Sequence, residues 1–457
     1  LTKYKGQEAK GKRQRAKSAQ MPSLPFALCF LPFASCPLKM RAVALGFEQA
    51  TTFQYNHADH QQKKGYAPPV NFFHNQKSVY FYKGEYSPNA GTATKFYPAG
   101  FLLSALKRIL IAPLNWGLGH VARCIPIIRA LEQMGASVTL ASDGVALNLL
   151  KAECPHLPAV ELPSYRIRYE SPNMVRNIAW QLPRISYAIR AEQWATERLV
   201  REHGIEGIIS DNRYGCFSAR AKCVLLTHQI RLQVPNTVLE WIANGVLRLA
   251  LTKFDNIWVP DTPGAPNLSG KLSHFQEPVS SRIQFIGPLT RLQKYERSPE
   301  YDVAVVLSGP EPQRSILEQR LLEQAMTLPR KFIFIQGKTQ SREHYFVSEN
   351  VEVVSYLTSK DLNDVLLASK VLVCRSGYSS IMDLTALGKK ALLIPTPGQT
   401  EQEYLAQYLA EQQLFLSQHQ DDIDLESGLN GLSKTYGFKP GQYNSSAFET
   451  TLRTWLG

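Results

Sequence analysis

Short apolar runs and longer stretches of helical spacing alternate along the chain from about residue 107 onward. The strand-like runs of the first half are 108–113, 136–141, 207–210, 223–227 and 256–259. Between them, the stretch 121–134 shows the clearest helical spacing. Strands that alternate with helices are typical of a parallel sheet with helices on its faces. The pattern therefore predicts a first doubly wound α/β domain over residues 105–290.

A Gly-Pro pair at 287–288 and a polar run at 291–300 interrupt this alternation. It then restarts, with strand-like runs at 302–307, 331–335, 351–354, 370–374 and 390–395. We therefore predict an interdomain linker and a second doubly wound domain over residues 301–457. Ligands of open α/β sheets bind beyond the carboxyl ends of the strands. The predicted fold class is thus α/β, with two Rossmann-like domains that face a cleft.

The first 104 residues show no periodicity long enough to define a domain, and the chain begins with Leu. They carry 14 Lys and Arg against 4 Asp and Glu, and so supply +10 of the formal net charge of +13. We expect residues 1–104 to be an unstructured or misassigned N-terminal extension that is dispensable. A basic cluster at 10–17 before an apolar stretch leaves a targeting segment open, and a small separate domain is the third alternative. The remainder is nearly neutral, which argues against nucleic acid as a partner.

Seven cysteines occur without a Cys-x-x-Cys pair. An odd number in a large chain argues against a disulfide framework and favours a reducing, cytoplasmic environment. Their spacing does not fit a zinc site. The acidic run at 420–424 lies in a polar stretch rather than after a core strand, so we interpret it as a solvated face. We expect neither a metal nor another cofactor.

The first loop that carries chemistry follows the run at 108–113. It contains Asn115, Gly117, Gly119 and His120. Glycines allow close backbone approach, and the free amides at a helix start attract anions, so we interpret this loop as an acceptor or phosphate site. The pattern also fits a dinucleotide fingerprint, with Asp143 about twenty residues further on. A nicotinamide oxidoreductase therefore stays open, as does a plain strand-to-helix turn.

Polar side chains follow two further predicted strands of the first domain. Asp211, Asn212 and Arg213 come after one strand, and His228 comes after the next. We predict that they recognise the acceptor, with a satisfied turn as the alternative. His120 is a candidate general base for an acceptor hydroxyl because imidazole titrates near neutral pH, and Asp211 is a second candidate. A helix-capping or acceptor-binding role is the alternative for His120.

Two loops of the second domain have a similar construction. A turn of small residues leads from the run at 370–374 into a helix, and its residues are Arg375, Ser376 and Gly377. Asp383 follows on the second turn of that helix, where a carboxylate can accept two ribose hydroxyls. After the next strand, Gln402 and Glu403 stand side by side at a helix start and can hold sugar hydroxyls. These loops predict a binding site for the donor.

The loops resemble those of glycosyltransferase family 28, the peptidoglycan N-acetylglucosaminyltransferases and their relatives. In that family an Arg-Ser-Gly turn leads to an acid that holds the donor ribose, which Asp383 matches here. Paired polar residues hold the donor sugar, matching Gln402 and Glu403, although the family usually has Gln at the second position. The family's Gly-x-Gly-His loop is matched with His120. The resemblance spans about residues 107–457 and implies the GT-B fold.

One loop departs from the family pattern. Where the family has a Gly-Gly-Ser type loop, this chain has Ser308 and Gly309, followed by two prolines and Arg314. The resemblance places all three residues at the donor: the amides of Ser308 and Gly309 can meet phosphate and Arg314 can reach it. The prolines, however, remove donors. We therefore expect a branch distinct from the peptidoglycan enzyme.

The resemblance implies inverting transfer of a sugar from a nucleotide diphosphate, UDP-linked, to an acceptor hydroxyl. The expected acceptor is a glycan or lipid-linked sugar of a cell-envelope glycoconjugate. A sugar-nucleotide epimerase and a non-catalytic sugar-nucleotide-binding subunit stay open as alternatives. A basic stretch with aromatic residues, around Arg184, Arg190 and Trp194, predicts peripheral contact with the inner face of a membrane. An ordinary surface helix is the alternative.

Overall fold

The computed structural model describes residues 107–165, 174–233, 237–274, 280–438 and 446–457. The expectation for residues 1–104 therefore lies outside the described residues. Within the described ranges, no helix combines the length and the apolar composition that a membrane span requires.

The first half of the described chain forms a seven-stranded sheet in which all neighbours are parallel. Its strands in chain order are β1 Arg108–Pro113, β2 Ser137–Ser142, β3 Ala159–Glu161, β4 Gly207–Asp211, β5 Lys222–Leu226, β6 Asn256–Val259 and β7 Ile283–Phe285. The spatial order is β3-β2-β1-β4-β5-β6-β7. Five of the six residues of β1 are buried, as expected for a central strand covered on both faces.

The second half repeats this arrangement in a second seven-stranded sheet. Its strands are β8 Tyr301–Val306, β9 Phe332–Ile335, β10 His344–Ser348, β11 Val351–Val354, β12 Ser369–Cys374, β13 Ala391–Leu393 and β14 Leu416–Ser417. The spatial order is β10-β11-β9-β8-β12-β13-β14, and the edge strand β10 is antiparallel to β11. The prediction of two doubly wound α/β domains is confirmed.

Helices connect the strands. They are α1 Leu118–Gln133, α2 Gly144–Glu153, α3 Met174–His203, α4 Thr237–Leu251, α5 Gln313–Ala325, α6 Ser359–Leu367, α7 Tyr378–Leu387, α8 Thr400–Glu411, α9 Leu425–Gly431 and α10 Ser446–Leu456. The sequence analysis missed the strands β3, β7, β10 and β14. Three of them have two or three residues, and β10 is largely exposed, so none forms a recognisable buried apolar run.

Each sheet has a point where the strand order reverses, between β1 and β4 in the first sheet and between β8 and β12 in the second. Strands on either side of such a point send their following loops in opposite directions, which leaves a crevice at the carboxyl ends. The loops at these two reversals contain most of the residues that the sequence analysis singled out.

The C-terminal helix α10 packs against the first sheet. Trp455 makes an edge-to-face contact with Trp258 at a centroid distance of 5.7 Å, and the amine of Lys222 donates to the carbonyl of Trp455 over 3.3 Å. Gly207 lies so close that a Cβ there would meet the Trp455 ring at 2.5 Å. The boundaries 105–290 and 301–457 stay predictions, and the last helix contacts the domain opposite to the one it was assigned to.

Candidate active site

A cavity of about 230 Å³ lies between the carboxyl ends of the two sheets. It is lined by residues of both domains: Asn115, Gly117, Leu118, Val145, Gly337 and Thr339. The side chain of Asn115 is held from behind, because its Nδ2 donates to Asp143 over 3.1 Å and its Oδ1 accepts from the Ala146 amide. The first loop therefore forms one wall of the cavity.

His120 and Asp211 lie side by side at the strand-order reversal of the first sheet. His120 is the third residue of α1, and Asp211 ends β4. The imidazole Nδ1 lies 3.0 Å from the carboxylate Oδ1, with 16% of the histidine side chain exposed and the aspartate fully buried. Nε2 of His120 makes no hydrogen bond with any residue that the structure describes. The two candidate catalytic residues are thus in contact, and their roles stay predictions.

Arg123, which the sequence analysis did not single out, completes this pair. It lies one turn after His120 on α1, and its buried guanidinium donates from Nε to Asp211 over 2.6 Å. Its Nη2 contacts the other oxygen of Asp211 and lies 2.8 Å from Nδ1 of His120. A spacing of three puts His120 and Arg123 on one helix face. That spacing was a signal in the sequence, but the partner on β4 was not visible there.

The pKa values of this pair favour an uncharged imidazole beside an ionised carboxylate. Burial lowers the pKa of His120, Asp211 raises it and Arg123 lowers it again, so that it lies below its usual value. Burial alone would raise the pKa of Asp211, but Arg123 and His120 outweigh burial and hold it at about 2. At neutral pH the imidazole can therefore accept a proton.

His228, predicted to face the acceptor, bridges the two domains. Its Nε2 lies 2.8 Å from Oε1 of Glu401, in the first turn of α8. Its ring stacks on Tyr378 at the start of α7, with centroids 4.0 Å apart and an angle of 3° between the planes. Both partners belong to the second domain, so no local pattern around His228 indicated them. Direct acceptor contact by His228 stays a prediction.

Asn212 and Arg213 follow Asp211 but differ in their surroundings. Asn212 adopts a left-handed backbone with φ of 56°, and its buried Oδ1 has no hydrogen-bond partner within the described residues. By contrast, each nitrogen of Arg213 is engaged. Nε binds Glu192, Nη1 donates to Asp143 over 2.7 Å and Nη2 donates to a backbone carbonyl. Arg213 therefore supports this loop from within the first domain, whereas Asn212 keeps an unsatisfied acceptor.

Two glycines of the first loop serve different needs. Gly117 has a φ of 80°, a backbone conformation that would be strained in a residue with a side chain. Gly119 lies against the second domain, where a Cβ would come within 2.5 Å of the Ser379 hydroxyl at the start of α7. The glycine at 119 is thus explained by the close packing of α1 on α7, and acceptor contact there stays a prediction.

In the second domain, Arg375 is fully buried beneath the turn that was predicted to bind the donor. Its Nη atoms donate to the carbonyls of Ile394 and Pro395 and to Gln420, and burial lowers its pKa to about 10. Ser376 donates to the carbonyl of Gln402 over 2.7 Å. Together with Gly377, which precedes the first residue of α7, these residues shape the turn.

Two buried polar atoms beside this turn lack a hydrogen-bond partner in the described chain, Nε of Arg375 and Oγ1 of Thr396. Both lie next to the exposed Gly309, where a Cβ would stand 3.9 Å and 3.5 Å from them. Gly309 has φ of 105°, so its conformation itself favours glycine. Ser308 is exposed in the same loop. Unsatisfied buried donors are rare in folded proteins, so a ligand group is a natural partner for them.

The remaining donor-side candidates are occupied by neighbours within the chain. Arg314 binds Glu311 and donates to Glu318 over 2.9 Å, so its charge is already compensated. Gln402 accepts from the amide of Thr396, and Glu403 accepts from the amide of Gly398, each over 2.9 Å. Gln402 and Glu403 therefore brace the proline-rich turn. Donor contact by these three residues stays a prediction.

Asp383 is held by the interdomain linker. Thr290 donates its hydroxyl to the carboxylate over 2.5 Å, and the adjacent Leu289 amide contacts Met382 of the same helix. Burial raises the pKa of Asp383 to about 6, against the lowering effects of Thr290 and Arg291. Ribose would have to share or replace the Thr290 contact. Ribose binding by Asp383 stays a prediction.

Comparisons with known proteins agree with this architecture. Residues 306–447 match the glycosyltransferase family 28 C-terminal domain, a range that contains every donor-side candidate from Ser308 to Glu403. A protein of Methanosarcina acetivorans named an uncharacterized glycosyltransferase is 23% identical over 326 residues, which cover 67% of this chain and 84% of the relative.

A shorter similarity involves a UDP-N-acetylglucosamine–N-acetylmuramyl-(pentapeptide) pyrophosphoryl-undecaprenol N-acetylglucosamine transferase of Caldanaerobacter subterraneus. It is 31% identical over 85 residues, which cover 18% of this chain and 23% of that enzyme. Among solved structures, a calicheamicin glycosyltransferase superposes with a TM-score of 0.51 at 16% identity, covering 77% of this chain and 93% of the other. We conclude that this chain is a glycosyltransferase with the GT-B fold, and that its residues 306–447 are similar to the glycosyltransferase family 28 C-terminal domain.

Proposed function

We propose that the protein transfers a sugar from a UDP-linked donor to a hydroxyl of a glycan or lipid-linked sugar, with inversion at the anomeric carbon. The observation that carries the proposal is the contact of 3.0 Å between His120 and Asp211 at the cleft. An uncharged imidazole whose Nε2 bonds none of the described residues, backed by an ionised carboxylate, is the arrangement that a general base requires.

The reaction is a single displacement. Nε2 of His120 takes the proton of the acceptor hydroxyl while the acceptor oxygen forms a bond to the anomeric carbon. The bond from that carbon to the diphosphate oxygen breaks on the opposite side, and its electron pair leaves with the diphosphate. Asp211 stabilises the imidazolium that results, and Asn212 offers its unsatisfied Oδ1 to an acceptor hydroxyl or amide.

The donor diphosphate is assigned to the loop around Gly309. Two buried donors that lack a partner in the described part of the chain, Nε of Arg375 and the Thr396 hydroxyl, lie beside a glycine that leaves space for a ligand. A diphosphate offers the acceptor oxygens that both groups lack, and its negative charge suits a guanidinium. A uridine nucleotide is supported by the two N-acetylglucosamine transferases among the relatives, whose names include UDP-N-acetylglucosamine.

The donor assignment is tested by thermal shift of the full chain with UDP, UMP, UDP-N-acetylglucosamine and NAD. We expect UDP and the UDP-sugar to raise the melting temperature more than UMP does, because UMP lacks the diphosphate. At about 100 times Kd the stabilisation is about 2.7 kcal/mol. Thr396→Val should reduce the rise with UDP without lowering the melting temperature of the free protein, since the hydroxyl has no hydrogen-bond partner among the residues that the structure describes. An equal rise with NAD would contradict the assignment.

The proposal also includes peripheral contact with a membrane, which is supported by the exposed face of α3. Ile189 and Leu199 are buried in the first domain. On the opposite side, an exposed stripe at helical spacing combines two aromatic residues, exposed by 71% and 65%, with three arginines. Its members are Tyr187, Arg190, Trp194, Arg198 and Arg201. Aromatic rings and arginines on one face suit the headgroup region of an anionic bilayer, in line with a cytoplasmic protein peripheral to the inner face.

We expect Arg190→Glu combined with Arg198→Glu to reduce flotation with vesicles of phosphatidylcholine and phosphatidylglycerol, because two basic residues worth about 1 kcal/mol each become acidic. Flotation is measured at low and at physiological salt. The matched control is Arg129→Glu with Lys151→Glu, which makes the same charge change on exposed residues of α1 and α2. Equal loss in both double variants would mean that net charge alone, and not this stripe, drives binding.

A further inference from the structure

Arg123 occupies the centre of the buried cluster behind His120. Its side chain is only 2% exposed and makes a two-pronged contact with Asp211, with Nε to Oδ2 over 2.6 Å and Nη2 to Oδ1. Nη2 also lies 2.8 Å from Nδ1 of His120, and Nη1 lies 3.3 Å from Nδ1 of His228. The Arg123 guanidinium thus contacts His120, His228 and Asp211.

These contacts place opposing demands on Nδ1 of His120. Asp211 can only accept a hydrogen bond, so it requires a proton on Nδ1, whereas a guanidinium can only donate and requires a lone pair there. The distances of 3.0 Å and 2.8 Å are nearly equal. Arg123 and the His120 imidazole therefore compete as hydrogen-bond donors to Asp211. Arg123 and Asp211 also compete for Nδ1 of the imidazole.

The charges around His120 come from both domains. Asp211 on β4 and Arg123 on α1 contact it directly, His228 after β5 lies close enough to lower its pKa, and the charge of Glu401 on α8 interacts with it. Without Arg123, the imidazole would face a buried carboxylate with no other guanidinium on it among the described residues. A nearby opposite charge favours the charged form of an imidazole, so the pKa of His120 would rise and the ring would take up a proton more readily.

We propose that Arg123 is a positioning residue for the transfer reaction, which keeps His120 uncharged by sharing Asp211 with it. The inference rests on the proposed role of His120 as base. A charged imidazole has no lone pair for the acceptor proton, so without Arg123 the base would be blocked at the pH where the enzyme works. The guanidinium itself stays bound to Asp211 and does not contact the substrate.

The test is an NMR titration of the full chain labelled with ¹³C and ¹⁵N at histidine, in which His120→Ala identifies the His120 signals. We expect the wild-type His120 ring to be uncharged at pH 6.5. In Arg123→Met the titration midpoint of His120 should rise by at least about one pH unit. Arg123→Lys keeps the positive charge without the two-pronged guanidinium contact, so the His120 midpoint should stay close to that of the wild type.

The double variant Arg123→Met with Asp211→Asn removes both charges and is the matched control. We expect it to return the His120 midpoint to below that of Arg123→Met, because the carboxylate that contacts the imidazole has been removed. A His120 midpoint that is the same in wild type and Arg123→Met would overturn the inference, and Arg123 would then only support the fold. This titration needs no substrate, so it is independent of whether His120→Ala abolishes transfer, which tests the proposed function itself.

Discussion

Replacing His120 with alanine should slow sugar transfer by about 100-fold or more while donor affinity stays within about threefold. The physical reason is the position of this side chain. It lies on the first domain, in contact with Asp211, whereas the unpaired donors around Gly309 belong to the second domain. Initial transfer rates and calorimetric donor binding, measured on the same preparation, separate the two quantities.

His156→Ala is the control for this experiment. His156 is 61% exposed and pairs with the half-buried Glu132, its one ion-pair partner among the described residues, so its removal should leave both rate and affinity unchanged. If His120→Ala instead abolishes donor binding while Asp383→Ala leaves it intact, the division of roles between the domains is reversed. The dinucleotide interpretation of the first loop would then regain support.

Replacing Asp383 with alanine should weaken donor affinity by about tenfold to a hundredfold at pH 8, the loss of about 1.5 to 3 kcal/mol expected for charge-assisted hydrogen bonds to ribose. The effect should depend on pH, because burial raises the pKa of Asp383 to about 6. Below that value the wild-type carboxyl is itself protonated and holds ribose less strongly. We therefore expect wild-type donor affinity to rise as pH increases through about 6, and the affinity of Asp383→Ala to lack this rise.

The same pKa shift fixes the sign of a stability effect. Since the folded-state pKa of Asp383 lies above the ordinary value of 3.8 for an aspartate, the folded protein holds this proton more tightly than the unfolded chain does. Its contribution to stability is therefore fully present below about pH 4 and is lost as pH rises through about 6. Melting temperatures of wild type and Asp383→Asn across this window measure the difference.

A donor affinity of Asp383→Ala that equals the wild-type value at pH 8 would exclude a ribose contact.

The two-domain α/β fold was predictable from sequence because each domain repeats a local signal. A buried parallel strand requires a short apolar run, and the helix after it requires apolar residues at helical spacing. The runs at 108–113 and 302–307 match β1 and β8 to within a residue at each end. What the pattern could not indicate were strands too short or too exposed to form such a run, as with β10.

The candidate site could be predicted from the sequence only in part. His120, Asp211 and Asp383 could be singled out because each follows a predicted strand at the edge where ligands bind. Their partners could not be identified, since Arg123 reaches Asp211 across 88 positions of the chain, Glu401 reaches His228 across 173, and Thr290 reaches Asp383 across 93. Such pairings depend on which strands are neighbours and how the two sheets meet.

The sequence by itself thus determined the fold class and the loops that bear the chemistry, because strand-to-helix patterns and turn residues act over a few positions. Only the tertiary structure decided which charges are compensated. Arg213 and Arg314 look like free cations in the sequence but are bound to acids. Asn212 and Arg375, by contrast, each have a buried atom without a hydrogen-bond partner within the described ranges. Compensation is a property of distance and burial in three dimensions, and neither quantity is encoded in the spacing of residues along the chain.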